Sequence, residues 1–118
     1  MPSWDDVVAI GERLPGAEAG TWCGTPGLLV AGKGFCRLRT DPDALVLRVA
    51  GLDDKEALLQ GDPEAFFTTP HYDGSPHILI RLEAVDAEEL AELIEEAWRS
   101  RAPKRIVTNY DRRGSPSE

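Results

Sequence analysis

The chain has little of what most reactive sites are built from. Only two histidines, two cysteines and one methionine are spread over its 118 residues. His71 and His77 belong to no HExxH stretch and have no cysteine pair beside them. A metal centre needs three or four converging donors, so none is expected. Cys23 and Cys36 lie thirteen apart, a spacing that fits neither a CxxC redox motif nor a zinc ribbon. Both are expected to be reduced, small and buried. GxSxG, GxGxxG and GxxxxGK[ST] are missing, which leaves no nucleophile elbow and no glycine-rich phosphate cradle. No cofactor is expected. No apolar run approaches the length of a membrane span. The N-terminus, MPSWDDVVAIGER, has acids where a signal peptide carries bases. These shortages predict a soluble cytoplasmic protein without membrane attachment.

Positive charge is also short. Thirteen Lys and Arg face twenty-one Asp and Glu, for a net charge of −8. Such a balance argues against broad electrostatic affinity for nucleic acid or anionic lipid. What is present is an apolar fraction of 42% in a chain of single-domain length, enough for one core under a well-solvated surface.

Ser3 with Asp6 has the form of a capping box, and Trp4, Val7, Val8 and Leu14 follow at near-helical spacing. A helix over 4–14 is predicted, stopped by Leu14-Pro15-Gly16. GTWCG, GLLVA, FCRLR and ALVLRV then read as four strands, broken at Thr25-Pro26-Gly27, Gly32-Lys33-Gly34 and Asp41-Pro42-Asp43. Connections this short require antiparallel pairing. Asp53 with Glu56 reads as the cap of a second helix that ends at Gly61 and Pro63. Ala65–Thr68 and His77–Leu82 read as strands. Asp86 with Glu89 opens a last helix whose stripe is Leu90, Leu93, Ile94, Ala97 and Trp98, closed by Ala102-Pro103. Residues 1–103 are thus one domain, and 104–118 a basic, partly flexible tail that frays from Arg112. The fold class is α+β: two layers, an antiparallel sheet with three helices mainly on one face.

The other face is expected to be open. Alternation puts Arg37, Arg39, Val46, Arg48, His77, Leu79 and Arg81 on it, with Lys33 at a nearby turn. Ordinary solubility of an exposed sheet face explains such arginines equally well. Charge in the last helix is divided: residues 86–96 hold six acids and no base, and 99–113 hold six bases and one acid. Complementing the helix macrodipole accounts for most of that division.

The stretch FFTTPHYDG sets His71, Tyr72 and Asp73 side by side. As a turn it is well made: Pro70 holds Thr69 extended, Asp73-Gly74 is a reversal pair, and Pro76 marks re-entry to a strand. His71 and Tyr72 are then expected at a loop tip. A small-ligand enzyme site there would require these three side chains to converge in a concavity.

LPGAE with a downstream Trp22, GKGF running into FCRL, LVLRV, DPEAFFTTPHYDGSPHILIRL and the closing ELIEEAW…AP occur in this order over residues 4–103. In these pieces the chain resembles the MmcQ/YjbR family of small bacterial proteins. That resemblance implies a two-layer α+β fold shared in outline with secretion chaperones, and a DNA-binding label based on two β-hairpin wings. It brings no catalytic residues, and it marks the GKGF and PHYDG loops as places to look. The reading is a non-catalytic binding module. Lys33, Arg37, Arg39, Arg48 and Arg81 would meet DNA phosphates weakly, with His71 or Tyr72 stacking or hydrogen-bonding at a loop tip. The alternative is a protein-partner module, chaperone-like or dimeric, marked by an exposed apolar patch including Trp4, Trp98 or Leu79.

Overall fold

The computed structural model describes residues 2–22, 24–39 and 44–113. Cys23, the Asp41-Pro42-Asp43 turn and the tail residues 114–118 lie outside the described residues. The capping box forms as the sequence predicts. Ser3 Oγ accepts from the Asp6 amide, the Asp6 carboxylate accepts from the Ser3 amide, and helix α1 runs Trp4–Glu12. Asp86 likewise caps the long helix Ala87–Arg101 by accepting from the Glu89 amide at 2.8 Å.

Between them lie β1 Ala17–Trp22, β2 Thr25–Val30, β3 Lys33–Arg39, β4 Ala44–Arg48, α2 Leu52–Gly61, β5 Phe66–Phe67 and β6 His77–Ile80. A short 3-10 turn, Leu82–Ala84, precedes α3 Ala87–Arg101. All strand pairs are antiparallel, in the order β1-β2-β3-β4-β6-β5. The expected turn at Thr25-Pro26-Gly27 is instead part of β2, and the reversal falls just before it, at Gly24 with φ +79. The next reversal is Ala31-Gly32, both at positive φ, so Lys33 and Gly34 already belong to β3. Two successive positive φ values are those of a type I′ hairpin turn, whose twist matches the strands it joins.

The main core lies between the sheet and the helices. Leu28, Val30, Cys36, Leu45, Leu47, Ile78 and Ile80 meet Val7, Leu90, Ile94, Ala97 and Trp98, all essentially without exposure. The register slips between Leu28 and Leu29, opposite Phe35, which turns this extra residue into the core as well. Trp98 is held by its Nε1 donating to the Pro15 carbonyl at 2.9 Å, so the loop after α1 is tied to α3.

Two expectations about helices are corrected. α2 begins one residue before Asp53, behind Gly51, and no side chain caps it. The basic tail expected from residue 104, fraying from Arg112, is helical as far as residue 113, where Lys104–Arg113 form a fourth helix, α4. Ile106, Val107 and Tyr110 pack on the main core, and the Tyr110 ring meets Trp98 edge-on at 5.0 Å. Arg99 bridges Glu95 at 3.1 Å and Asp111 at 2.7 Å, joining α3 to α4. Ala102-Pro103 closes α3 as expected, and the Pro103 carbonyl then accepts from the Ile106 and Val107 amides to open α4, since proline is tolerated where a helix starts.

Candidate nucleic-acid interface

Cross-strand partners point to the same side of a sheet, so register fixes which residues share the face away from the helices. Arg37 lies opposite Val46, Arg39 opposite Ala44, Arg48 opposite His77, and Val46 and Phe67 opposite Leu79. The alternation read from the sequence therefore holds for Arg37, Arg39, Arg48, His77 and Leu79. Arg81 follows two residues beyond Leu79, with its guanidinium over the Phe67 ring at 4.2 Å and Nη1 donating to the Glu64 carbonyl. Lys33 departs from the set. It is exposed at the β2–β3 hairpin, opposite core-facing Val30, and so points off this face.

The face is only partly open. Tyr72, expected at a loop tip, is 7% exposed and packs on Ala44, Val46, Leu79 and Phe67 as a second, smaller apolar cluster. Its hydroxyl accepts from Arg37 Nη2, while Arg37 Nη1 donates to Thr25 Oγ1 at 3.2 Å. The Arg39 guanidinium lies 5.9 Å from the centre of the Tyr72 ring. The physical reason is the turn itself. The amides of Tyr72 and Asp73 both donate to the Thr69 carbonyl and Gly74 sits at φ +81, which folds the loop back over the sheet. Lys55 in α2, only 4% exposed, locks it by donating from Nζ to the carbonyls of Tyr72 at 2.6 Å and Ser75 at 3.0 Å. His71 and Asp73 remain exposed. The three residues of PHYDG therefore do not converge on a concavity, and the stretch is a turn with a plug.

Two residues outside the predicted set complete the site. The Trp22 indole, at the end of β1, reaches across β2 and lies on Gly34 of β3, where any Cβ would overlap the ring. Its ring centre is 6.1 Å from that of His77, and His77 is 5.9 Å from Tyr72. Strands β1 and β6 are four inter-strand steps apart, about 19 Å in a flat sheet. Rings that meet across such a gap lie over a coiled, concave face. A glycine inside a strand marks a close approach, so Gly27 and Gly34 were the available signals for Trp22. Lys55 had none, since DDKEA reads as a solvated helix face.

Electrostatically the neighbourhood is positive. Burial and then Arg48, Arg101, Lys55 and Arg37 push the His77 imidazole down to about 4, so it is neutral at pH 7. Burial, with Arg101 nearby, also lowers the Arg48 pKa. Burial lowers that of Lys55, partly offset by Asp73. Arg101 Nε is buried with no hydrogen-bond partner among the described residues. Cys36 is a buried thiol whose pKa burial raises far above the ordinary value, which makes it unreactive.

A family model described as YjbR matches residues 12–100. The chain belongs to the YjbR family. The match includes both motif loops and Trp22, Arg37, Arg48 and His77, and it stops short of Arg101 and α4. Similar curated proteins include uncharacterized protein Rv2570 of Mycobacterium tuberculosis and uncharacterized protein Mb2600 of Mycobacterium bovis. Each is 34% identical over 125 residues, covering 93% of this chain and 96% of theirs. Among solved structures, Deinococcus radiodurans protein DR2400, with a DUF419 domain, superposes with a TM-score of 0.68 at 23% identity. That match covers 83% of this chain and 77% of the other. At that identity the likeness is one of fold. In this YjbR protein, Gly32 of the GKGF motif serves the hairpin turn and Gly34 makes room for Trp22.

Proposed function

We propose that this chain is a non-catalytic binding module that engages DNA through phosphate contacts on the second sheet face. The observation that carries this reading is the gathering of Arg37, Arg39, Arg48 and Arg81 on one side. Among the described residues none of the four forms an ion pair with a carboxylate. In a chain of net charge −8, guanidinium groups gathered on one face are an electrostatic footprint for an anionic ligand. His71, exposed on the loop between β5 and β6, would extend contact along the backbone, whereas Lys33 points off this face.

Fluorescence anisotropy with a labelled oligonucleotide tests it. Binding is expected at low salt, with a log–log salt slope of about −3 to −4 for three to four neutralised phosphates. Arg37 also holds Tyr72 and Thr25, so the charge reversal is placed at Arg39→Glu with Arg48→Glu, which should abolish binding while the circular dichroism spectrum stays native. Absence of binding at low salt sinks the reading.

One observation favours a protein partner as a second reading. A groove of about 980 Å³ between α1 and the start of α3 has Ile10, Ala84 and Val85 in its lining, rimmed by Asp6, Glu83, Asp86 and Glu89 against the single base Arg13. An acidic groove of that kind suits a basic polypeptide. The apolar patch that would have marked such a partner elsewhere is missing from the places named: Trp98 and Leu79 are fully buried and Trp4 packs on the core.

A further inference from the structure

The helices contribute their apolar side chains to the main core, and the second cluster contains only strand and loop residues. Among the described residues no helix belongs to this second cluster, so the face does not present a helix for insertion into the major groove of a duplex. What the face offers is a row of rings. Trp22 and His77 are each half-buried, tilted 46° to one another, and backed by the buried Tyr72, tilted 54° to His77. Arg37 and Arg48 flank that row: Arg37 through its bond to Tyr72, Arg48 as the cross-strand partner of His77.

We infer that the Trp22–His77 platform stacks unpaired nucleobases while the adjacent guanidinium groups hold the phosphates, so that the face takes single-stranded nucleic acid in preference to duplex. The inference rests on the nucleic-acid reading above and deepens it. Single strands present the faces of their bases, and an aromatic ring on a positively charged groove captures them with little regard to sequence. A duplex hides those faces, leaving only phosphate contacts. The neutral state of His77 at pH 7 suits this use, because the ring then adds a stacking surface and not another fixed cation.

The test compares a labelled oligothymidylate of about 15 bases, a length near the upper site size of single-strand folds, with a duplex of equal length at the same low salt. The single strand is expected to bind at least about tenfold more tightly. Trp22→Leu keeps apolar bulk over Gly34 but removes the aromatic face. It should weaken single-strand binding by about 5- to 150-fold, the range of one stacked base. Duplex binding should stay within about twofold, because phosphate contacts alone carry it. The wild-type comparison needs no variant, so it stands even if Trp22→Leu fails to fold. Equal affinity for both forms overturns the stacking inference and leaves phosphate binding intact. So does a variant that weakens both forms alike. Failure of both nucleic acids to bind removes the underlying reading as well.

Discussion

His77 concentrates the electrostatics of the site in one side chain. In the folded chain its imidazole is held near 4 by burial and by Arg48, Arg101, Lys55 and Arg37, against an ordinary value near 6.5. The unfolded chain therefore binds the extra proton first. Stability from this residue is fully present above about pH 6.5 and is lost as pH falls toward 4. Because the ring is half-exposed, water screens part of the penalty, and the loss is about 1–2 kcal/mol. Urea denaturation at a series of pH values should show that loss, and His77→Gln should flatten it. A wild-type slope that survives the substitution would assign the effect to other groups. Tyr72 makes a different point at the same scale. Its neighbours in sequence, Pro70, His71, Asp73 and Gly74, announce a turn but do not say which way the ring faces. That direction is set by Arg37, thirty-five residues earlier, and by Lys55 in a helix whose sequence gave no sign of burial.

Among the elements, the β2–β3 hairpin bears most directly on the site. Ala31-Gly32 turns the chain, Phe35 bulges into the core, and Gly34 leaves the space in which the Trp22 indole lies. Gly34→Ala places a methyl group inside that ring. Overpacking of this kind typically costs about 1–3 kcal/mol, and the indole must lift off the sheet to relieve it. A lowered thermal midpoint, with a shift in tryptophan emission toward that of a solvated ring, is the expected result. An unchanged midpoint would mean that Trp22 does not rest on Gly34. The strands were legible because alternation is local: each face of β3, β4 and β6 was readable from residue identity alone. α4 was not. Its polar sequence, KRIVTNYDRR, has three apolar contacts to offer, and only the fold brings Trp98 and Pro15 under them. The absent side-chain cap of α2 has the same character, since Asp53 and Glu56 match the capping pattern two positions past the actual N-cap, Gly51.

For the whole molecule, the sum of charge and its placement pull in opposite directions. Acids predominate at −8, with six of them on residues 86–96 of the last sequence-predicted helix, while the second sheet face carries arginines that pair with no carboxylate among the described residues. Net charge was readable at once, and placement required the register of four strands. A molecule so divided should respond to salt in two separable ways. Simple electrolytes screen the general acidic self-repulsion and stabilise the fold modestly. A small polyanion that binds the arginine face adds a mass-action increment of about 1.4 kcal/mol per tenfold excess over its dissociation constant. Pyrophosphate at millimolar concentration should therefore raise the thermal midpoint above that in sodium chloride of equal ionic strength, by about 3 °C or more. Arg39→Glu with Arg48→Glu should erase this increment and leave the chloride response in place. If pyrophosphate and chloride act alike on the wild-type chain, or if the charge-reversed variant keeps the increment, the arginine face holds no anion. The guanidinium groups would then serve only to keep the sheet surface solvated.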